Sequence, residues 1–288
     1  MGRLTVLVLG SAAGGGFPQW NCRCATCRLA WVGDARVRPR TQASLAVSAD
    51  GENWLLINAS PDLPQQVRQS KVLHPRSGTR GSPIKAVVLT GAEIDQVAGL
   101  LSLREREPLM VCATPATLAA LADNAMFGVL APDVVRRMAV IPGVPLMLPG
   151  EVEARVFMVP GKVPLYLEGE NPQIASETAA NVGVEISARN ARLVYSPGAA
   201  AVTAAMMERI KRADVVFFDG TLFRDDEMIA REPSCPSMGI CPMRRPVLAP
   251  VPLAIISSSR KSVPSKNTTS ARLIRSIIAA VTAAAPGM

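Results

Sequence analysis

Three cysteines near the start of the chain are the residues whose type and spacing most clearly indicate chemistry. Cys22, Cys24 and Cys27 follow the pattern Cys-x-Cys-x2-Cys, which allows three thiolates to converge on one soft cation such as zinc. Structural zinc takes four ligands, so a fourth donor must come from elsewhere; Asp34, His74 and a group from a partner subunit are the candidates. We therefore predict a zinc site at the three cysteines, with reduced thiols that bind no metal as the alternative.

A loop of small residues lies directly before these cysteines. Residues 10–16 read GSAAGGG and follow an apolar run at residues 4–9. A glycine-rich loop after a first strand can bind a dinucleotide, but the spacing here is not Gly-x-Gly-x-x-Gly. Phe17 and Pro18 stand where the helix of such a motif would begin. We therefore favour a tight turn over a dinucleotide-binding loop.

The elements that position these residues alternate between buried strands and helices, which predicts a mixed α/β protein. Short apolar or alternating runs predict strands at residues 4–9, 41–48, 54–58, 84–89, 109–113, 152–159, 182–187, 192–196 and 215–218. Apolar residues at helical spacing predict helices at residues 60–70, 94–103, 115–124 and 202–212.

Two acidic residues come directly after buried strands. Asp95 follows the strand at 84–89, and Asp219 follows the strand at 215–218. Functional groups collect at the carboxyl ends of strands in α/β proteins, and the two carboxylates would converge if these strands were neighbours. The alternatives are helix capping by Asp95 and a turn carboxylate at Asp219. His74, the only histidine, lies in a polar segment and is predicted to be a solvated loop residue rather than a ligand.

The composition is that of a globular protein. The chain has 288 residues, 49% of them hydrophobic. It contains no apolar run long enough to span a membrane and no convincing signal peptide, so we expect a cytoplasmic protein.

The net charge of +8 belongs almost entirely to the last 56 residues, which contain seven basic and no acidic residues. Because residues 1–232 are nearly neutral, the charge does not indicate nucleic-acid binding. We predict one domain at residues 1–232 and a basic tail rich in proline, serine and alanine at residues 233–288. Residues 273–285 are the one helical pattern there, a short basic amphipathic stretch that, in a native tail, is expected to lie on an anionic surface or to be disordered. Its composition is also typical of a GC-rich gene translated in a shifted reading frame.

Several segments resemble the PqqB family of pyrroloquinoline quinone (PQQ) biosynthesis, within the metallo-β-lactamase fold superfamily. The most specific segment is GSAAGGGFPQWNCRCATC at residues 10–27. The other matching segments are RPRTQ at 38–42, NASPD at 58–62, Ile94-Asp95, GLLSLRE at 99–105, YSPG at 195–198, DGT at 219–221 and DDEM at 225–228. Together they extend over about the first 230 residues.

The resemblance implies an αββα sandwich with two facing mixed sheets, and a structural zinc site at Cys22, Cys24 and Cys27. It also implies that Asp95 and Asp219 correspond to metal-binding carboxylates of the superfamily's catalytic groove. Two roles are linked to the family: transport of PQQ or its precursor toward the periplasm, and iron-dependent hydroxylation of a tyrosine in the peptide-derived precursor. The expected partners are PQQ or that precursor, other proteins of the pathway and a second copy of the chain.

The chain departs from the family pattern where catalytic ligands are expected. Gln96 follows Asp95 where the family has a histidine, and an amide cannot replace imidazole as a ligand for iron or zinc. The histidine-containing segments near the family's C-terminus have no counterpart after Pro233. We therefore expect a weakened catalytic metal site, with iron an unfavourable cofactor, and leave open whether the chain is an enzyme.

Overall fold

Two facing sheets form the centre of the protein. The computed structural model describes residues 4–162, 174–199, 202–219 and 253–257. The first sheet has the spatial order β1 (Thr5–Gly10), β2 (Ser44–Ser48), β3 (Trp54–Ile57), β4 (Ile84–Val88), β5 (Leu109–Ala113) and β6 (Val135–Ala139). The second has the order β12 (Leu253–Ser257), β11 (Val215–Asp219), β10 (Ala191–Ser196), β9 (Ile174–Ala188), β8 (Val152–Lys162) and β7 (Pro145–Leu148).

Both sheets are mixed. Strands β1 to β3 pair antiparallel, whereas β3 to β6 pair parallel. In the second sheet β10 and β11 are parallel, and the other pairs are antiparallel. Because parallel strands need a connection that crosses over the sheet, helices lie on the outer faces.

The apolar strands of the first sheet are buried on both faces. Leu45 and Val47 of β2 face the second sheet, whereas Ala46 between them packs toward the helices. The same alternation places Leu55 in the core between the sheets and Leu56 under the helices. Side chains of a strand alternate between its faces, so continuous apolar runs fit a strand covered on both sides.

Helices complete the outer layers of the sandwich. In the part of the chain that the structure describes, the α-helices are α1 (Ala25–Trp31), α2 (Leu63–Gln69), α3 (Ile94–Val97), α4 (Pro115–Ala122) and α5 (Ala204–Lys211). Short 3₁₀ helices lie at Lys71–Leu73, Ala98–Leu103 and Ala125–Val129. Helices α2 to α4 cover the first sheet, and α5 covers the second by packing Met206 and Ile210 against Val216. The predicted αββα sandwich is confirmed.

Three strands were not predicted. Strand β6 reads Val-Arg-Arg-Met-Ala with both arginines exposed, and charged side chains are common on edge strands. Strand β7 is short and also lies at an edge, and β12 pairs antiparallel with β11 from within the basic tail. The helix predicted at 273–285 lies outside the described residues. Among the described helices, none combines the length and the apolar character that a membrane crossing requires.

Candidate functional site

The three cysteines predicted to bind zinc converge at the start of α1. Their sulfur atoms all lie within 4.8 Å of one another. Cys24 is the N-cap residue of α1, and Cys27 lies in the first turn of the same helix, so the two side chains share a face. Cys22 joins them through a turn in which its backbone N–H donates to Gln19 O at 3.0 Å. The Trp31 indole donates to Cys22 O at 3.0 Å and holds this turn against the helix.

The surroundings of Cys22 and Cys27 disfavour the thiolate form of both side chains. Burial raises the pKa of the Cys22 thiol. The hydrogen bond with the Cys24 thiol, followed by burial, raises the pKa of Cys27. Because a bound cation deprotonates a coordinating thiol, three thiols at this separation, two of them buried, fit a soft divalent ion such as zinc.

Neither proposed intramolecular fourth ligand joins the cluster. The Asp34 carboxylate binds Arg36, with Nη2 at 2.7 Å and Nε at 2.9 Å. These hydrogen bonds with Arg36 lower the pKa of Asp34 to about 2. His74 Nε2 lies 3.0 Å from Val67 O at the end of α2, so this half-buried side chain caps a helix. No other His, Cys, Asp or Glu of the described residues completes the group, and a donor from a partner subunit stays open.

The glycine loop lies between the cysteine cluster and Asp95. Gly15 has a φ of +88°, which strains any other residue, and a Cβ there would lie 2.3 Å from Gln19 Oε1 and displace that side chain. Gly14 faces the Asp95 carboxylate, because a Cβ on Gly14 would lie 3.5 Å from Asp95 Oδ2. The loop therefore lies directly beside the Asp95 carboxylate. Its compact conformation is consistent with the predicted tight turn.

Asp95 is a partly buried carboxylate at the start of α3. Burial and the negative charge of Glu93 raise its pKa. No Arg or Lys of the described residues forms an ion pair with it. Helix capping, the alternative interpretation of Asp95, belongs instead to Glu93 and Gln96, whose side chains form a reciprocal capping box.

Gln96 stands where the family resemblance implies a histidine. Its side chain takes part in this capping box. Its Oε1 accepts a hydrogen bond from Glu93 N at 3.2 Å. The side chain is therefore directed back at the first turn of its own helix. Its amide oxygen already serves as the capping acceptor, which leaves Asp95 without a neighbouring ligand from this position.

Asp95 and Asp219 do not follow neighbouring strands of one sheet, which was the condition under which their carboxylates were expected to converge. Asp95 follows β4 in the first sheet, whereas Asp219 ends β11 in the second. The chain leaves the first sheet after β6, so the later strands pair among themselves. The side chain of Asp219 lies outside the described residues. Contacts between the sheets nevertheless join the loop after β4 to the second sheet, because Val182 N donates to Thr90 O at 2.9 Å.

A buried polar network at this edge was not predicted. Asn58, just after β3, accepts a hydrogen bond from Thr90 N at 2.9 Å and donates from Nδ2 to Thr90 Oγ1 at 2.9 Å. Its Nδ2 also lies 3.5 Å from the hydroxyl of Tyr195 on β10. Asn58 has a φ of +61°, a conformation that asparagine tolerates better than most residues. The network joins the two sheets where β3, β4 and β10 end, and the segments NASPD and YSPG were its only signal.

The fold and the site together define a class of protein. Two mixed sheets face each other between outer helices, and the polar groups collect at one edge of the sandwich. Residues 53–251 match the family described as the Beta-lactamase superfamily domain. Low-identity structures with this fold include a diphosphatase from the PhnP family, 22% identical with a TM-score of 0.53, which covers 74% of this chain and 73% of its own.

Closer relatives define the family within that class. Coenzyme PQQ synthesis protein B from Methylorubrum extorquens strain AM1 is 53% identical over 232 residues, which cover 78% of this chain and 75% of the relative. The protein of the same name from Rhizobium meliloti strain 1021 is 48% identical, over 78% of this chain and 74% of its own. The crystal structure of Zn²⁺-bound PqqB from Methylobacterium extorquens has a TM-score of 0.76 at 53% identity, over 79% of this chain and 76% of its own. The chain belongs to the coenzyme PQQ synthesis protein B family.

Proposed function

We propose that this chain takes part in PQQ biosynthesis as a protein that binds PQQ or its precursor and assists its transport toward the periplasm. Membership of the PQQ synthesis protein B family supports the pathway. The observation that favours binding over catalysis is the position of Gln96, whose side chain caps α3 beside Asp95. The only histidine, His74, contacts the end of α2 instead. We place this role in the cytoplasm, in contact with other proteins of the pathway.

The proposed zinc ion has a structural role. Cys22, Cys24 and Cys27 supply three soft donors, and a related PqqB structure is described as Zn²⁺-bound. Zinc held there would connect the turn at Cys22 to α1 and so fix the glycine loop that precedes it. A second copy of the chain is one source for the fourth donor, in keeping with the expectation of a homodimer.

The binding role can be tested by titrating PQQ into the full-length chain and following tryptophan fluorescence. Trp20 is 77% exposed and Trp31 is 54% exposed, and the Trp31 indole donates to Cys22 O in the turn that follows the glycine loop. We expect saturable quenching that approaches one PQQ per chain. A linear, non-saturating signal equal to that of free tryptophan at matched absorbance would contradict the proposal.

The second candidate function is iron-dependent hydroxylation of a tyrosine in the PQQ precursor. It is favoured by Asp95 and Asp219, which follow buried strands in the two facing sheets and could supply carboxylate ligands. Anaerobic loading with ferrous iron distinguishes the candidates. A catalytic site predicts one iron that persists after the thiolate site is filled with zinc and is lost in Asp95→Asn. Retention of no iron beyond the thiolate site favours the binding protein.

A further inference from the structure

A polar cavity outside the groove at Asp95 is the strongest unassigned feature of the described residues. It has a volume of about 470 Å³ and lies between β1, the glycine loop and α2. Cavities that bind small molecules commonly measure roughly 300 to 1,000 Å³. Gly15 and Gly16 line it, whereas the neighbouring Gly14 faces Asp95. The glycine loop therefore separates the cavity from the groove.

Among the residues that the structure describes, Arg40 is the only cation in the wall of this cavity. Its Nη1 donates to Ser11 Oγ at 3.3 Å, a long contact. Its Nε is buried and has no hydrogen-bond partner within the part of the chain that the structure describes. No carboxylate of those residues forms an ion pair with it either. A half-buried guanidinium that has no carboxylate partner is well suited to bind an oxyanion.

The wall also contains one acid, Asp62, whose carboxylate already accepts hydrogen bonds, and two amides, Gln65 and Gln69, that can donate to a ligand. Asp62 Oδ2 accepts hydrogen bonds from Gln42 N at 2.8 Å and Gln42 Nε2 at 3.1 Å. These two hydrogen bonds hold one carboxylate oxygen against the segment on which Gln42 lies. Gln65 and Gln69 line the cavity from the exposed face of α2 and can donate to a second part of a ligand.

The glycine loop itself does not offer a phosphate-binding array. The backbone N–H groups of Ser11 and Ala12 both donate to Thr41 O, and Gly16 N donates to Ala13 O. Gly15 N donates to Gln42 Oε1 at 2.9 Å. A phosphate-binding loop offers its ligand several backbone N–H groups that have no other partner. In this loop the N–H groups of Ser11, Ala12, Gly15 and Gly16 already have acceptors. The planar guanidinium of Arg40 can pair with a carboxylate or a phosphate, and the occupied N–H groups of the loop favour the carboxylate.

We propose that this cavity is a binding site for a small organic acid, whose carboxylate pairs with Arg40 and whose remaining polar atoms contact Gln65 and Gln69. PQQ carries several carboxylates and is the occupant suggested by the proposed function. That identification rests on the proposed function, whereas the preference for a carboxylate rests on Arg40 and the occupied loop.

Equilibrium dialysis of the full-length chain against PQQ, and separately against citrate, tests the site. We expect Arg40→Gln to weaken binding of the occupant at least tenfold, because the charge-assisted pair is lost. Gln69→Glu, at an exposed position where folding is unaffected, should weaken it severalfold by placing a carboxylate at the rim. Arg38→Gln is the matched control, because Arg38 is exposed and lies outside the cavity wall. It should bind like the parent chain.

The outcomes separate this site from the proposed function. Unchanged binding of both acids by Arg40→Gln and Gln69→Glu overturns the site, while saturable PQQ binding would still support the carrier. Arg40-dependent binding of citrate without PQQ binding supports the site and contradicts the carrier. An equal loss in Arg38→Gln would indicate diffuse surface charge and also overturn the site. Binding of neither acid contradicts both proposals.

Discussion

Cys24 has two structural roles at the same position, since it is the N-cap residue of α1 and a member of the thiol cluster. Three thiols of this kind are easily predicted from the sequence because all of them lie within one short segment. The interactions of Arg40 and Asn58 could not be predicted in the same way. Arg40 reaches Ser11 across 29 residues, and Asn58 reaches Tyr195 across 137. Only the folded sheets bring such pairs together.

Replacing Cys24 tests the metal assignment. We expect Cys24→Ser to lower the zinc content toward zero and to remove the folding free energy that the metal contributes. The melting temperature should fall by roughly 5–10 °C, since a loss of about 1 kcal/mol in the free energy of unfolding corresponds to about 2–4 °C in a domain of this size. Metal analysis and thermal denaturation are the measurements. Cys112→Ala is the control, because this core cysteine lies away from the cluster and its loss should leave zinc content unchanged. A mutant that keeps its zinc would show that the ligand assignment is wrong.

Asn58 offers a second test at the residue scale. We expect Asn58→Ala to lower the free energy of unfolding by about 3 kcal/mol, because Thr90 loses buried partners and alanine is strained at a φ of +61°. Asn58→Gly should lose less, since glycine accepts that φ, and the difference between the two variants measures the strain. Urea denaturation provides both values. A cost below about 1 kcal/mol for alanine would contradict the proposed role of the network.

At the scale of elements, hydrophobic pattern predicts the strands buried on both faces and fails at the edges. Strand β5 and helix α4 were predicted to within two residues, because their apolar residues are covered by neighbours. Strands β6 and β7 expose much of their surface, so their sequences carry no comparable signal. The relative placement of Asp95 and Asp219 was not predicted, because the two residues lie on different sheets and sequence alone does not give the pairing of strands.

The turn between β2 and β3 predicts a pH dependence. Burial raises the pKa of Asp50, but hydrogen bonds from Asn53, Glu52 and Ser48 outweigh it and lower the pKa to about 2. Because the folded-state pKa is depressed below the unfolded value of about 4, this contribution is complete above pH 4 and is lost as pH falls toward 2. We expect Asp50→Ala to cost about 1 kcal/mol at pH 7.

Urea denaturation between pH 7 and pH 3 measures this dependence. The difference in the free energy of unfolding between Asp50→Ala and the parent chain should become smaller as the pH falls below 4. Glu151→Gln, at an exposed position, is the control and should show no such narrowing. A constant difference across the range would mean that the turn gains nothing from the charge of Asp50.

At the scale of the whole molecule, the chain combines a well-matched body with a divergent tail. The relatives cover 78% of the chain, and the tail contributes seven basic residues and no acidic ones. Its segment Leu253–Ser257 nevertheless pairs with β11 at the edge of the second sheet. We propose residues 1–232 as the metallo-β-lactamase-like domain and 233–288 as a divergent basic tail rich in proline, serine and alanine.

Resequencing the gene around the codons for residues 231–236 tests the origin of this tail. If the reading frame is shifted there, an alternative frame should encode the histidine-containing segments that the family resemblance implies. The catalytic role would then return for the product of that frame. If no frame encodes them, the tail is native and the binding role applies to the chain as it stands.

The most direct test of the account is calorimetric titration of PQQ into the full-length, zinc-loaded chain with no iron present. If the proposed carrier role is correct, the chain should bind PQQ without a second metal, because the Gln96 side chain caps α3 beside Asp95. We expect saturable heat with one PQQ per chain, unchanged when ferrous iron is added anaerobically. Absence of saturable heat, or heat that develops only after iron is added, would contradict it.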